Sequence, residues 1–480
     1  MANPHRCALS RRQFLQAIGG TAGCLMLFPL SESVLAAGPI SITPIFPKSK
    51  ARVTLIFSHM PPGTPTWPTK DYDYAGRAKE LTARLQAACP GIAFTAKTAH
   101  NADEAQAILK ESGDVDGYLV YALGLHTGVP GHMIHSGKPV VLVDDLFGGT
   151  YEALSANGVA RRENLPVVTV CSSDFQDVVS AARLFEVVRA MKESTILDVT
   201  DRDVATAAEQ IKALLGAGVV RIGSEELASY YSKAGEREAE EWADFWISQA
   251  KKVVEPARAE IVESGRMYLA LSRAAADKHA DAVTVDCLGM FYSGRMSAYP
   301  CLSHFQMNND GGAGVCEGDL NSTCAQLMMR YLTGRPGYVS DPVIDTSRSE
   351  IIYAHCVSTN RVFGPKGKAN PYIIRSHAED DKGASIQSLL PVNETVTTLQ
   401  MNVKSKRMVV HTGKTTRNLD EPKACRTKIA AKTDAERILS NWDSHVAAWH
   451  RVTVYGDWRK QALNLARLLG IATFEEDKAG

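Results

Sequence analysis

The chain has 480 residues, too many for one ordinary hydrophobic core, so two or three domains are expected. Its 45% hydrophobic and 22% charged content is that of a globular protein in water. Lys+Arg and Asp+Glu balance at 53 each with no long basic stretch, which argues against a nucleic-acid partner and against a polybasic membrane contact.

The N-terminal segment reads as a leader. Ser10-Arg11-Arg12-Gln13-Phe14-Leu15 precedes an apolar run and then small residues ending at Ala36 and Ala37. A charged start, an apolar middle and a small-residue cleavage region make a secretory signal. Paired Arg11 and Arg12 before Phe14-Leu15 resemble the twin-arginine type. Residues 1–37 are therefore expected to be removed on export to the periplasm or beyond. No stable membrane insertion is expected afterwards, since Pro29 and Glu32 interrupt the stretch as a spanning helix. A lipoprotein reading through Cys24 is the weaker alternative. Of the ten cysteines, Cys7 and Cys24 fall in the leader; the other eight show no CxxC pair or regular spacing, which gives thiolate zinc sites little support.

From residue 50 to 192 short apolar runs (RVTLIFS, GYLVYAL, PVVLVDD, PVVTVCSS) alternate with helical periodicity such as AGRAKELTARLQAA. Near-continuous β-branched runs bounded by Gly, Pro, Asp or Ser are the pattern of buried parallel strands, so this is an N-terminal α/β domain. The long proline-rich loop SHMPPGTPTWPTKDYDY follows the first strand, at the edge where such sheets bind ligands. A second α/β domain is expected over 193–345, with strands in STILDVTD, VVRIGSEEL and AVTVDCLGMF around a long charged helical segment. After 346 the texture changes to short strands separated by turns (SEIIYAHCVST, YIIRSH, TVTTLQMNV, RMVVHTG), giving a smaller β-rich domain over 346–480 that closes with the amphipathic helix DWRKQALNLARLLGI.

Candidate chemistry lies in the C-terminal half. NNDGGAGVCEGD places Glu317 and Asp319 before the helical run LNSTCAQLMMRYL. Read alone, an acid at a helix start is more often a cap than a catalyst. Asp341, 24 residues after Glu317 in GRPGYVSDP, reads as a turn residue; His355 in IIYAHCV and His450 in AAWHRVTVYGD read as core histidines of strands.

Taken in order, CEGD, GYVSDP, HC, WHRVTVYGD and LARLLGI resemble the L-fucose isomerase and L-arabinose isomerase superfamily. The likeness has ordered landmarks over about 280–475 and rests on texture upstream. It implies two Rossmann-like α/β domains followed by a barrel-like β-rich domain. Glu317, Asp341 and His450 match the family's metal triad, and His355 resembles the additional His ligand of the arabinose enzymes. The implied activity is a metal-dependent aldose–ketose isomerisation of a free pentose or 6-deoxyhexose, with Glu317 and Asp341 as proton-transfer residues that also bind metal. Two carboxylates with imidazole suit Mn²⁺ or Mg²⁺, and Mn²⁺ is the cation expected. Asp319 is left as the helix cap or as a partner behind the ligands, and Cys316 and Cys356 pack beside the site. A homo-oligomer is implied, with Trp67 and Tyr72 reaching substrate across an interface. Two alternatives remain: an exported sugar-binding or sensing protein on this scaffold, and a metal-dependent hydrolase or lyase of modified sugars.

Overall fold

The computed structural model describes residues 48–443 and 448–479, so the leader expected over 1–37 lies outside the described residues. Among the described residues, no helix is long and apolar enough to cross a membrane.

The first layer is a parallel sheet of β1 (Ala51–Ser58), β2 (Ile92–Ala99), β3 (Gly117–Ala122), β4 (Val140–Asp144) and β5 (Val167–Cys171), ordered β2-β1-β3-β4-β5. The four runs predicted as strands are β1, β3, β4 and β5, and AGRAKELTARLQAA lies in the helix Tyr74–Ala88. Their continuous apolar character has a direct cause: helices cover both faces, and every residue of β3 and β4 is buried. The strand absent from the sequence reading is β2. It is an edge strand with most side chains at least partly exposed, so it lacks the buried run that marks the others.

A second parallel sheet holds β6 (Thr195–Val199) and β7 (Gly218–Ile222). The two-residue β8 (Lys252–Val253) leaves this layer, which continues with β9 (Ala282–Val285) and β10 (Gly314–Cys316) in the order β10-β9-β6-β7. The run AVTVDCLGMF is strand only as far as Val285; after Asp286 the backbone turns into the helix Cys287–Tyr292. The charged segment between is two helices, Glu236–Gln249 and Arg258–Asp277, separated by β8.

The C-terminal region closes into a six-stranded antiparallel barrel. Its strands are β11 (Tyr338–Asp345), β12 (Glu350–His355), β15 (Thr395–Asn402), β16 (Arg407–Asn418), β17 (Thr427–Lys432) and β18 (Arg451–Tyr455). Their order is β15-β18-β11-β12-β17-β16, and eight residue pairs between β15 and β16 complete the ring. β13 (Tyr372–Arg375) and β14 (Ser385–Ser388) stand apart from it with β8, so YIIRSH forms a strand but not a barrel strand. β19 (Ala472–Glu475) adds alongside β16 after the helix Arg459–Leu468. The protein is thus a mixed α/β structure with two parallel sheets and an antiparallel barrel.

One expectation is corrected. Asp341 does not sit in a turn: it lies within β11, opposite Ala354 of β12. Proline at 342 suggested a turn, but β18 pairs with β11 only from Tyr338 to Ser340. Past Ser340 one edge of β11 has no ladder partner, and a residue without an N–H is tolerated there.

Candidate metal centre

Glu317 is presented by a tight turn between β10 and the helix Leu320–Thr333. Its φ is +66° and that of Gly318 is +61°. A left-handed glutamate costs about 1–3 kcal/mol, and such residues cluster where a side chain must be aimed. The turn is held from several sides. Gly318 N–H donates to the Val285 carbonyl at 2.9 Å, Asp319 N–H to the Cys316 carbonyl at 3.3 Å, and the Arg202 guanidinium to the Glu317 carbonyl at 3.1 Å. Glycine suits position 318 because its φ is positive; a Cβ there would also displace the end of the flexible Arg202 side chain.

Asp319 caps the helix as expected, accepting Ser322 N–H at 3.0 Å and the Ser322 hydroxyl at 2.6 Å. It also fills the other role left open for it, as a partner behind a ligand: its Oδ2 lies 2.8 Å from His450 Nδ1.

The barrel supplies the remaining groups from three adjacent strands. His355 is the last residue of β12, His450 immediately precedes β18, and Asp341 lies between them on β11. His355 Nε2 stands 3.4 Å from Glu317 Oε1, and His450 Nε2 stands 3.5 Å from Glu317 Oε2. The ring centroids of the two histidines are 5.5 Å apart and meet edge to face. Glu317, His355 and His450 each offer one ligand atom, all within 4.8 Å of one another. Asp341 joins at the side, its Oδ1 3.5 Å from His450 Nε2 and accepting the Trp449 indole N–H at 2.6 Å. The tight set is therefore Glu317, His355 and His450; Asp341, a member of the expected triad, stands outside it and approaches His450 alone.

A divalent cation fits this set. His355 Nδ1 and Nε2 and His450 Nε2 are buried with no hydrogen-bond partner. Orphaned buried nitrogens are rare because each forfeits its solvation. The tight set is one carboxylate and two imidazoles, oxygen and nitrogen donors with no thiolate among them. Glu317 and Asp341 keep about a third of their side chains exposed, at 34% and 31%, whereas His355 and His450 are at 2% and 8%. The acids therefore line the opening and the imidazoles the floor.

Electrostatics bind the groups together. Burial alone would push the Glu317 carboxyl up, but the His355 and His450 imidazoles hold it well below the usual carboxylate range. Burial likewise lowers His450, yet the Asp319 and Glu317 carboxylates raise it to about 10. A cation and a proton compete for the same nitrogen.

Beneath the centre, Cys316 and Cys356 pack as expected, each 3% exposed. Cys316 Sγ also lies 3.6 Å from His304 Nδ1, and Cys287, Cys316 and Cys356 are buried free thiols. Trp449 and Arg202 also went unread. Trp449 sits next to His450 in AAWHRV, so the signal lay beside the candidate ligand; Arg202, 115 residues from Glu317, left none.

No protein-family model matches the chain, and no curated protein matches it.

Proposed function

We propose that the protein is an exported, Mn²⁺-dependent aldose–ketose isomerase of the L-fucose/L-arabinose isomerase type, acting on a free pentose or 6-deoxyhexose. The observation that carries this reading is the convergence of Glu317, His355 and His450, with unpartnered imidazole nitrogens, beside Asp341. Two parallel sheets followed by a barrel are the architecture that goes with it, and the division into domains at 192 and 345 belongs to the same reading.

Isomerisation moves a proton between C1 and C2 while the carbonyl moves the other way. The carbon acid is weak, so a base must act beside a group that stabilises the enediolate oxygens. A cation held by Glu317, His355, His450 and Asp341 supplies that electrophile. Glu317 and Asp341 face the opening, where substrate enters, and are the residues placed to take and return the proton. The Trp449 indole donates to Asp341 and fixes its orientation. Asp319 holds His450 through Nδ1 and leaves Nε2 aimed at the centre. Arg202 steadies the backbone that carries Glu317.

The test is Glu317→Gln, which keeps shape and removes charge. Bound Mn²⁺ and sugar interconversion are measured on the purified full chain with a panel of aldopentoses and 6-deoxyhexoses. The variant should lose most of its Mn²⁺ and at least about 10²-fold in turnover. Normal Mn²⁺ content with full activity would rule the assignment out.

A homo-oligomer forms part of this reading. Trp67 is 60% exposed and Phe147 78%, so both present apolar surface outward. Light scattering should give a mass that is a multiple of the single chain; a monomer at micromolar concentration counts against it.

A further inference from the structure

The first parallel sheet has a cavity of its own. It measures about 280 Å³ and lies beyond the carboxyl ends of β3, β4 and β5, walled by the helices Tyr74–Ala88 and Phe175–Ala182. None of its lining residues belongs to this chain's metal centre; Tyr72, which the family likeness directs toward a neighbouring subunit's substrate, is on its rim. Open parallel sheets bind ligands at this edge, but position alone does not make a site.

Tyr121 supplies the second observation. It belongs to β3, is 2% exposed and lines the cavity, and its hydroxyl has no hydrogen-bond partner. Leaving a buried hydroxyl unpaired costs about 1–3 kcal/mol, a cost that a phenylalanine would avoid and that a ligand hydroxyl would remove.

The surrounding charges decide the class of ligand. Arg77 makes a bidentate pair with Asp145, Nη2 to Oδ1 at 2.6 Å and Nε to Oδ2 at 3.1 Å, and reaches Glu80 at 2.8 Å with Nη1. Arg84 lies 3.9 Å over the Phe175 ring and donates to Glu80 at 3.1 Å. Asp144, 3% exposed, accepts the Thr150 hydroxyl at 3.0 Å. Within the wall two guanidinium groups, Arg77 and Arg84, stand beside two carboxylates, Asp144 and Asp145, and Glu80 behind the wall takes both arginines, which leaves no surplus positive charge for a phosphate. Pre-paired Arg–carboxylate groups beside aromatic rings still offer fixed donors, fixed acceptors and flat apolar faces. That combination suits vicinal hydroxyls on a ring.

We propose that this cavity binds a small neutral polyhydroxylated molecule, one monosaccharide or cyclitol in size, at a site separate from the metal centre. Its volume is just below the usual range of small-molecule sites, which favours a single ring over a chain. The site goes beyond the isomerase reading and does not depend on it.

The experiment uses full-length Glu317→Ala protein in chelator, so that the metal centre cannot contribute sugar binding. Saturation-transfer NMR and calorimetry are run with L-arabinose, D-glucose and myo-inositol, and with glucose 6-phosphate as the charged comparator. At least one neutral probe should bind. Adding Tyr121→Phe should weaken it about 5–10-fold, the loss of one hydrogen bond, with a thermal midpoint equal to or above the parent's. Asp145→Asn should weaken it further by freeing Arg77 from its pair. The proposal is overturned if no neutral probe binds, if glucose 6-phosphate binds best, or if both variants bind as the parent does. Because the metal ligand is already removed, these outcomes are independent of whether the protein isomerises sugars.

Discussion

Asp319 shows how much one side chain can do at this centre. Its carboxylate caps the helix Leu320–Thr333 and also holds His450 Nδ1 at 2.8 Å. Asparagine caps a helix nearly as well as aspartate but brings no charge to the imidazole. Asp319→Asn should therefore keep the helix cap but cost about 1–3 kcal/mol of unfolding free energy, because His450 loses a buried charge partner. Mn²⁺ affinity should fall about 10–100-fold, as losing the carboxylate behind a histidine ligand does. Paired denaturation and calorimetric titration check this, and unchanged Mn²⁺ affinity would show that the contact is only structural. Gly318→Ala probes the turn itself. A side chain at φ +61° that also meets Arg202 should destabilise by more than about 1 kcal/mol and weaken Mn²⁺ binding by shifting Glu317.

Among the elements, the barrel is tied at its far seam by a buried polar network. Glu476, just after β19, takes Arg451 Nη2 on Oε1 at 2.6 Å and His411 Nδ1 on Oε2 at 2.9 Å. His411 Nε2 lies 2.7 Å from the Tyr353 hydroxyl. The chain terminus is thereby joined to β18, β16 and β12 through groups that are at most 1% exposed. Removing one partner leaves a buried charge unmatched, so Glu476→Gln should cost about 3–5 kcal/mol. Burial alone would raise the Glu476 carboxyl, but His411 and Arg451 bring it down to about 2. A depressed carboxyl contributes stability that is fully present above its ordinary value and is lost as pH falls toward 2. The gap between wild type and Glu476→Gln in urea should thus be wide at pH 6 and shrink below pH 4. An equal gap at both pH values would contradict this assignment.

At the scale of the whole molecule, the candidate metal centre lies where the second parallel sheet meets the barrel. Glu317 comes from the end of β10, whereas His355, Asp341 and His450 come from β12, β11 and the approach to β18. A cation that binds only when these parts are assembled stabilises the assembly by mass action. At a free Mn²⁺ concentration 100 times Kd the gain is about 2.7 kcal/mol. The thermal midpoint should rise with Mn²⁺ in the wild type and stay flat in Glu317→Gln. A rise of equal size in both would place the cation elsewhere.

Local patterning alone was enough for the strands of the parallel layers other than β2 and β10, for the short-strand texture of the C-terminal region, and for the Asp319 cap. Buried strands and helix starts are written in residues next to one another, by apolar runs and by side chains that reach the nearest N–H groups. The four candidate ligands came only with the ordered likeness to a known family; read alone, their segments give a cap, a turn residue and two core histidines. Tertiary structure decided the rest. It put Asp341 on a strand whose open edge accepts Pro342, and it placed His355 and His450 on strands flanking β11. It set Asp319 behind His450, and Trp449 against Asp341. It also exposed the unpaired Tyr121 hydroxyl at the mouth of the first sheet and Arg202 under Glu317. These are contacts between segments up to 131 residues apart. They depend on barrel closure and strand order, and no local run of residues encodes a distance across a barrel.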